Sequence, residues 1–135
     1  MIECRNLGKS YGTLQAVSGI ILRLDEHEFL SILGPSGCGK STLLRLIAGL
    51  ELPSQGQVFL HGQEISGRKI ILPPEHRKFG MIFQDFALFS HLSVKDNVRY
   101  GATGSKKEKQ QRVHELLELV SLPHLATKMP HQISG

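Results

Sequence analysis

Apolar residues fall in short strand-like blocks in some stretches of the chain and at a helical period in others. Residues 2 to 7, 17 to 24, 28 to 33, 57 to 60 and 79 to 83 are each short, rich in β-branched or large apolar residues, and bounded by Gly, Pro, Asp or Ser. That pattern predicts strands. Tight polar turns at Ser10 to Gly12 and Asp25 to Glu28 predict an antiparallel start. The run "FLSILG" is nearly continuous in apolar residues and leads straight into a glycine-rich loop, which predicts a buried parallel strand.

Leu43, Leu46, Ile47 and Leu50 then recur at i, i+3, i+4, i+7, and Gly49 with Pro53 closes the helix they predict. A second helix is predicted from near Ser93 and a third from about Ser105 to Val120. Ser105 and Glu108 form a capping box for the third, and Val113, Leu116, Leu117 and Val120 give it one apolar face. Lys106, Lys107, Lys109 and Arg112 fall largely on its other side and read as a solvated face rather than a nucleic-acid contact.

Composition adds bounds. The 135 residues suffice for one modest domain at most, and 40% apolar with 21% charged residues is ordinary for a globular chain. The formal charge of +4 is small and spread along the sequence, a weak pointer to an anionic partner. Two cysteines, Cys4 and Cys38, form no CxxC pair, as expected of a reduced cytosolic protein. The start MIECRNLGKSYG lacks the apolar run of a secretory signal, and no apolar stretch is long enough to span a bilayer. The seven histidines show no metal-ligand spacing.

The chemistry concentrates in "GPSGCGKST", residues 34 to 42, which fits GxxxxGK[ST] with Gly34, Gly39, Lys40 and Ser41 at the fixed places. Glycines let successive N–H groups turn toward a phosphate, and the following helix N-terminus adds partial positive charge. Lys40 would reach the β and γ phosphates, and Ser41 would place its hydroxyl on Mg²⁺. The expected cofactor-binding set here is Gly34, Pro35, Ser36, Gly37, Cys38, Gly39, Lys40, Ser41 and Thr42. Cys38 reads as a small residue that fits, although a helix N-terminus and Lys40 could also make its thiol alkylatable. No NKxD motif accompanies the loop, which counts against a GTPase. "IILRLDE" at 20 to 26 imitates a strand ending in a metal-binding Asp and a catalytic Glu, but Arg23 interrupts it and its place before the loop suits an antiparallel neighbour.

"SYG" at 10 to 12, the loop at 34 to 42, "GMIFQDFALFSHLSV" at 80 to 94 and the final "ISG" resemble, in order and spacing, the ATP-binding subunits of ABC transporters. The resemblance runs over essentially all 135 residues as the N-terminal part of such a domain, ending within its signature motif. It implies an α/β P-loop NTPase-type core with an antiparallel β subdomain on the N-terminal side and the start of a helical subdomain. It implies that Tyr11 stacks on adenine with Val17 beside it, that Gln84 is the Q-loop glutamine able to ligate Mg²⁺, and that Ser134 contacts phosphate. "FALFSHLSV" resembles "FALFPHLTV" of importers for ferric iron, polyamines, sulfate or sugars, with Ser90 where proline is usual.

The partners implied are a transmembrane permease subunit, against which Phe86, Leu88 and Phe89 would be covered, and a second copy of the ATP-binding subunit, at the cytoplasmic face of the cell membrane. No nucleic acid is expected. The family's Walker B aspartate, catalytic glutamate and switch histidine come after the signature. The 135 residues are therefore expected to bind Mg-ATP without efficient turnover, and to be poorly soluble or partner-dependent alone. Two other classes remain open on sequence alone: a soluble P-loop kinase, for which Arg99 and Arg112 give no obvious lid, and a non-transport ABC module on nucleic acid.

Overall fold

The computed structural model describes residues 1–67 and 69–133. Ser134, expected to contact phosphate, lies outside them, as does Gly135. The chain divides into two compact units, Met1–Met81 and Ile82–Gly135.

The first unit is a four-stranded antiparallel sheet packed against one helix. Strand β1 (Ile2–Tyr11) forms a hairpin with β2 (Leu14–Leu24), and β3 (Gln55–Leu60) pairs with the other edge of β1 and with β4 (Gln63–Ser66), giving the order β2-β1-β3-β4. The antiparallel start predicted from the polar turns is present, with longer strands and an unforeseen fourth. "IILRLDE" ends β2, antiparallel to β1, and is no metal-binding strand end.

Cys4 and Leu7 are both fully buried although they stand three apart, a spacing that puts side chains on opposite faces of a regular strand. A register shift between them, with Asn6 at φ 49°, turns Leu7 back to the core. Helix α1 (Lys40–Ala48) brings Leu43 and Leu46 to the same core, where they meet Val17, Val58 and Ile65. Leu50 does not continue that stripe, because Gly49 ends the helix in the left-handed region before it.

Two predicted strands are absent. Residues 28–33 and 79–83 join no ladder among the described residues. Only Ile32 and Phe79 of these stretches pack on the core, while Phe29 and Ile82 are each 93% exposed. An apolar run states a preference for burial, but a strand exists only through a hydrogen-bonded neighbour, and these segments have none among the described residues.

A short helix α2 (Pro74–Arg77), with Pro74 in its first turn, completes the first unit. The second unit holds α3 (Val94–Tyr100), α4 (Lys106–Leu119) and two 3-10 turns, Pro123–Leu125 and Pro130–Gln132. Both helices start where predicted, near Ser93 and at the capping box of Ser105. Ser93 accepts from the Asp96 amide, and Ser105 and Glu108 form a reciprocal capping box. Val113 and Leu117 are the buried residues of α4, and no described helix is long and apolar enough to cross a membrane.

Candidate functional site

The loop 34–42 is built on glycine geometry. Gly37 and Gly39 have φ of 80° and 94°, so the chain can coil tightly before α1 begins. Gly39 is also where the loop meets the sheet. A Cβ there would overlap the carbonyl oxygen of Ala16 and come within 3.3 Å of Val17 Cγ2. Glycine is therefore required twice over, by torsion and by space.

Helix α1 has no side-chain cap at its N-terminus and no acidic residue in its first turn. Cys38 N–H donates weakly to the Pro35 carbonyl at 3.4 Å, and Leu43 N–H makes the first helical bond to Gly39. Among the described residues, the N–H groups of Ser36, Gly37, Gly39, Lys40, Ser41 and Thr42 donate to no protein acceptor. That is a cluster of donors at the positive end of a helix, and it suits a multiply charged oxyanion.

Lys40 folds over the same loop. Its Nζ donates to the carbonyls of Gly34 at 2.8 Å and Pro35 at 2.6 Å, and stands 3.5 Å from Cys38 Sγ. No carboxylate holds it in an ion pair among the described residues. The cation is thus tethered by neutral groups and able to exchange them for an anion. Ser41 is exposed at the start of the helix, Thr42 half-buried, and Cys38 exposed.

A cavity of about 210 Å³ adjoins the loop, lined among others by Val17, Ile32, Cys38, Lys40 and Leu43. Among the described residues, no acidic one lines it. Val17 itself is only 6% exposed, so most of its side chain is spent on the core and on the contact with Gly39.

Tyr11 is the last residue of β1, paired with Leu14 across a two-residue turn, and 44% exposed. Lys9 Nζ lies 4.9 Å from the centre of its ring. The same ammonium pairs with Glu51 at 2.7 Å and donates to the Leu52 carbonyl at 2.8 Å. The Lys9 ammonium, and after it the Tyr11 hydroxyl, holds the Glu51 carboxyl below the usual carboxylate range. Sequence reasoning missed Lys9 and Glu51, which stand on separate elements.

In the second unit Gln84 is exposed at the first position of the turn Gln84–Ala87, where Phe86 and Ala87 both have positive φ. Phe86 and Leu88 are 73% and 55% exposed, whereas Phe89 packs at 4.5 Å on Tyr100. Asn97 was not anticipated either. Its side chain exchanges hydrogen bonds with both backbone groups of Phe89 and donates to the carbonyls of Leu92 and Ser93, fixing the loop from α3.

Comparison with known proteins bears on this geometry. The family model described as "ABC transporter" matches residues 17–135. A sulfate/thiosulfate import ATP-binding protein CysA of Pseudomonas putida is 43% identical over 99% of the chain, and an Fe(3+) ions import ATP-binding protein FbpC 2 of Pectobacterium atrosepticum is 47% identical over all of it. The chain spans about two fifths of these relatives, 42% and 39% of their lengths. Among solved structures, a dimeric bacterial ABC transporter cassette superposes with a TM-score of 0.83 at 32% identity, covering 100% of this chain and 64% of that one. A cassette in a dimeric post-hydrolysis state bound to ADP and Pi gives the same TM-score at 30% identity, over 99% of this chain and 63% of that one.

Proposed function

The chain belongs to the ABC transporter family, and from that premise we propose that residues 1–135 are the nucleotide-holding part of an import-type ATP-binding subunit. The observation that carries this reading is the set of N–H groups of Ser36, Gly37, Gly39, Lys40, Ser41 and Thr42 that donate to no protein acceptor among the described residues, at the start of α1. Free N–H donors clustered at a helix N-terminus favour a phosphate chain. Lys40 would leave the Gly34 and Pro35 carbonyls for the β and γ phosphates, and Ser41 would offer its hydroxyl to Mg²⁺. Gly39 keeps the loop against β2, so the donors are set before the anion arrives. When bound, Mg²⁺ supplies charge neutralisation between phosphate oxygens.

The division of labour follows from what lines the loop. These residues bind phosphate, but among the described residues no Asp or Glu lines the cavity beside Lys40 to orient water or complete a metal site. We therefore assign binding, rather than hydrolysis, to this part of the subunit. The wider role is coupling of ATP binding and hydrolysis to import, with a permease covering Phe86 and Leu88 and a second copy completing the nucleotide sites, at the cytoplasmic face of the membrane. Ser134 belongs to that second contact.

Isothermal titration calorimetry with Mg-ATP tests the reading. Saturable binding is expected, lost by at least about tenfold in Lys40→Ala, in proportion to one charge-assisted contact. Binding left intact by Lys40→Ala, or no magnesium-dependent binding by folded protein, would remove it.

A further inference from the structure

Lys9 stands next to Tyr11 but is not free to bind a ligand. Its ammonium is shared between the Glu51 carboxylate at 2.7 Å and the Leu52 carbonyl at 2.8 Å, and its side chain is only 13% exposed. Those two anchors come from the segment just after α1, so a residue of β1 is tied to the far end of the helix whose start carries the phosphate loop. The ammonium sits 4.9 Å from the centre of the Tyr11 ring, within cation–π range.

An aromatic ring has two faces, and a stacked base needs one. A cation fixed against one face leaves the other for a flat, apolar partner and limits rotation of the ring about χ1 and χ2. It also draws the ring's π density toward itself, which lessens repulsion between the free face and the π face of a base. Tyr11, at the end of a strand and 44% exposed, is otherwise restrained only at its hydroxyl, beside the Glu51 carboxylate, which leaves the tilt of its ring to Lys9. Resting on the reading of Tyr11 as the adenine platform, we propose that Lys9, held by Glu51, is a positioning residue for the base half of the nucleotide site, setting the Tyr11 ring with one face open to adenine.

Titration of the full 135-residue chain with Mg-ATP and, separately, with inorganic tripolyphosphate and Mg²⁺ separates the base half from the phosphate half. Lys9→Met is expected to weaken Mg-ATP binding about threefold, the size of one surface cation–π contact, and to leave tripolyphosphate binding unchanged. Lys9→Arg should restore ATP affinity, and Lys9→Met should cost nothing further in a Tyr11→Ala background. Glu51→Gln, which loosens the ammonium and also removes the charge beside the Tyr11 hydroxyl, should act in the same direction, and Lys9→Gln serves if Lys9→Met does not fold.

Equal losses for ATP and tripolyphosphate would overturn the proposal in favour of a general structural or charge effect. So would ATP binding that Tyr11→Ala weakens but Lys9→Met and Glu51→Gln do not. If Tyr11→Ala itself leaves ATP affinity unchanged while Lys40→Ala abolishes it, the adenine platform fails and the positioning role with it, but the phosphate site stands.

Discussion

The guanidinium of Arg77 occupies the space that a side chain at Gly49 would fill. Arg77 is 1% exposed, and its nitrogens donate to the carbonyls of Leu72 at 2.7 Å, Ile47 at 2.9 Å, and Leu46 and Ile65 at 3.2 Å. A Cβ on Gly49 would meet its Nε, with Cζ only 2.5 Å away. The cation thus satisfies the open carbonyls at the end of α1, where the helix dipole is negative, and ties them to β4. Burial pulls its pKa down, but a guanidinium stays protonated and makes the four bonds on its planar fork.

Substituting Arg77 or Gly49 should therefore destabilise the first unit. Arg77→Leu leaves the carbonyls of Leu72 and Ile47 without this donor and takes a second donor from those of Leu46 and Ile65, which keep the Gly49 and Leu72 amides, and is expected to cost about 4 kcal/mol. Gly49→Ala, at φ 82°, is expected to cost about 2 kcal/mol. Urea midpoints at constant slope would report both.

Gly39→Ala should damage the phosphate loop more than the fold. The new methyl would have to displace the Ala16 carbonyl at a φ of 94°. About a tenfold loss of Mg-ATP affinity is expected, with a stability loss of about 2 kcal/mol. Calorimetry alongside a thermal melt separates the two effects.

The two thiols should differ sharply. Burial pushes the Cys4 thiol up to about 11 and leaves it 0% exposed, whereas Cys38 is exposed in the loop. A raised thiol pKa keeps Cys4 in its unreactive neutral form at ordinary pH. Titration with a chromogenic thiol reagent near neutral pH should count one thiol in folded protein and two in denaturant. Unchanged nucleotide binding after full modification of Cys38 would support its reading as merely a small residue.

The cap of α4 should show in its helicity. Ser105→Ala is expected to cost about 1 kcal/mol of local stability, read as faster hydrogen exchange at the first amides of α4. The Ser105 hydroxyl and its backbone N–H hold the Glu108 carboxyl below the usual carboxylate range. A depressed folded-state pKa stabilises above the unfolded value, so the cap's carboxylate contribution should be fully present above about pH 5 and fade as pH falls through the lowered value.

Features whose physics is local were legible in the sequence. The phosphate loop was readable because glycine torsions, the lysine and the helix start lie within nine consecutive residues, 34 to 42. The capping box of α4 was readable from Ser105 and Glu108, three positions apart. The hairpin of β1 and β2 was readable because a polar turn separates two apolar stretches, and Arg23 within "IILRLDE" together with its place before the loop marked that segment as an antiparallel neighbour.

What depended on distant partners was not legible. "FLSILG" carries the composition of a buried strand, yet joins no ladder among the described residues, because pairing is a property of two segments and composition belongs to one. Arg77 looks like any polar residue in "PPEHRK" until the chain folds it under Gly49, 28 positions earlier. Lys9 and Glu51 meet across 42 positions, and only that meeting turns a surface lysine into a prop beside Tyr11. Torsional and capping preferences act within a few residues and are written in their order. Burial, ladder pairing and the placement of a lone cation are decided by which segments the folded chain brings into contact.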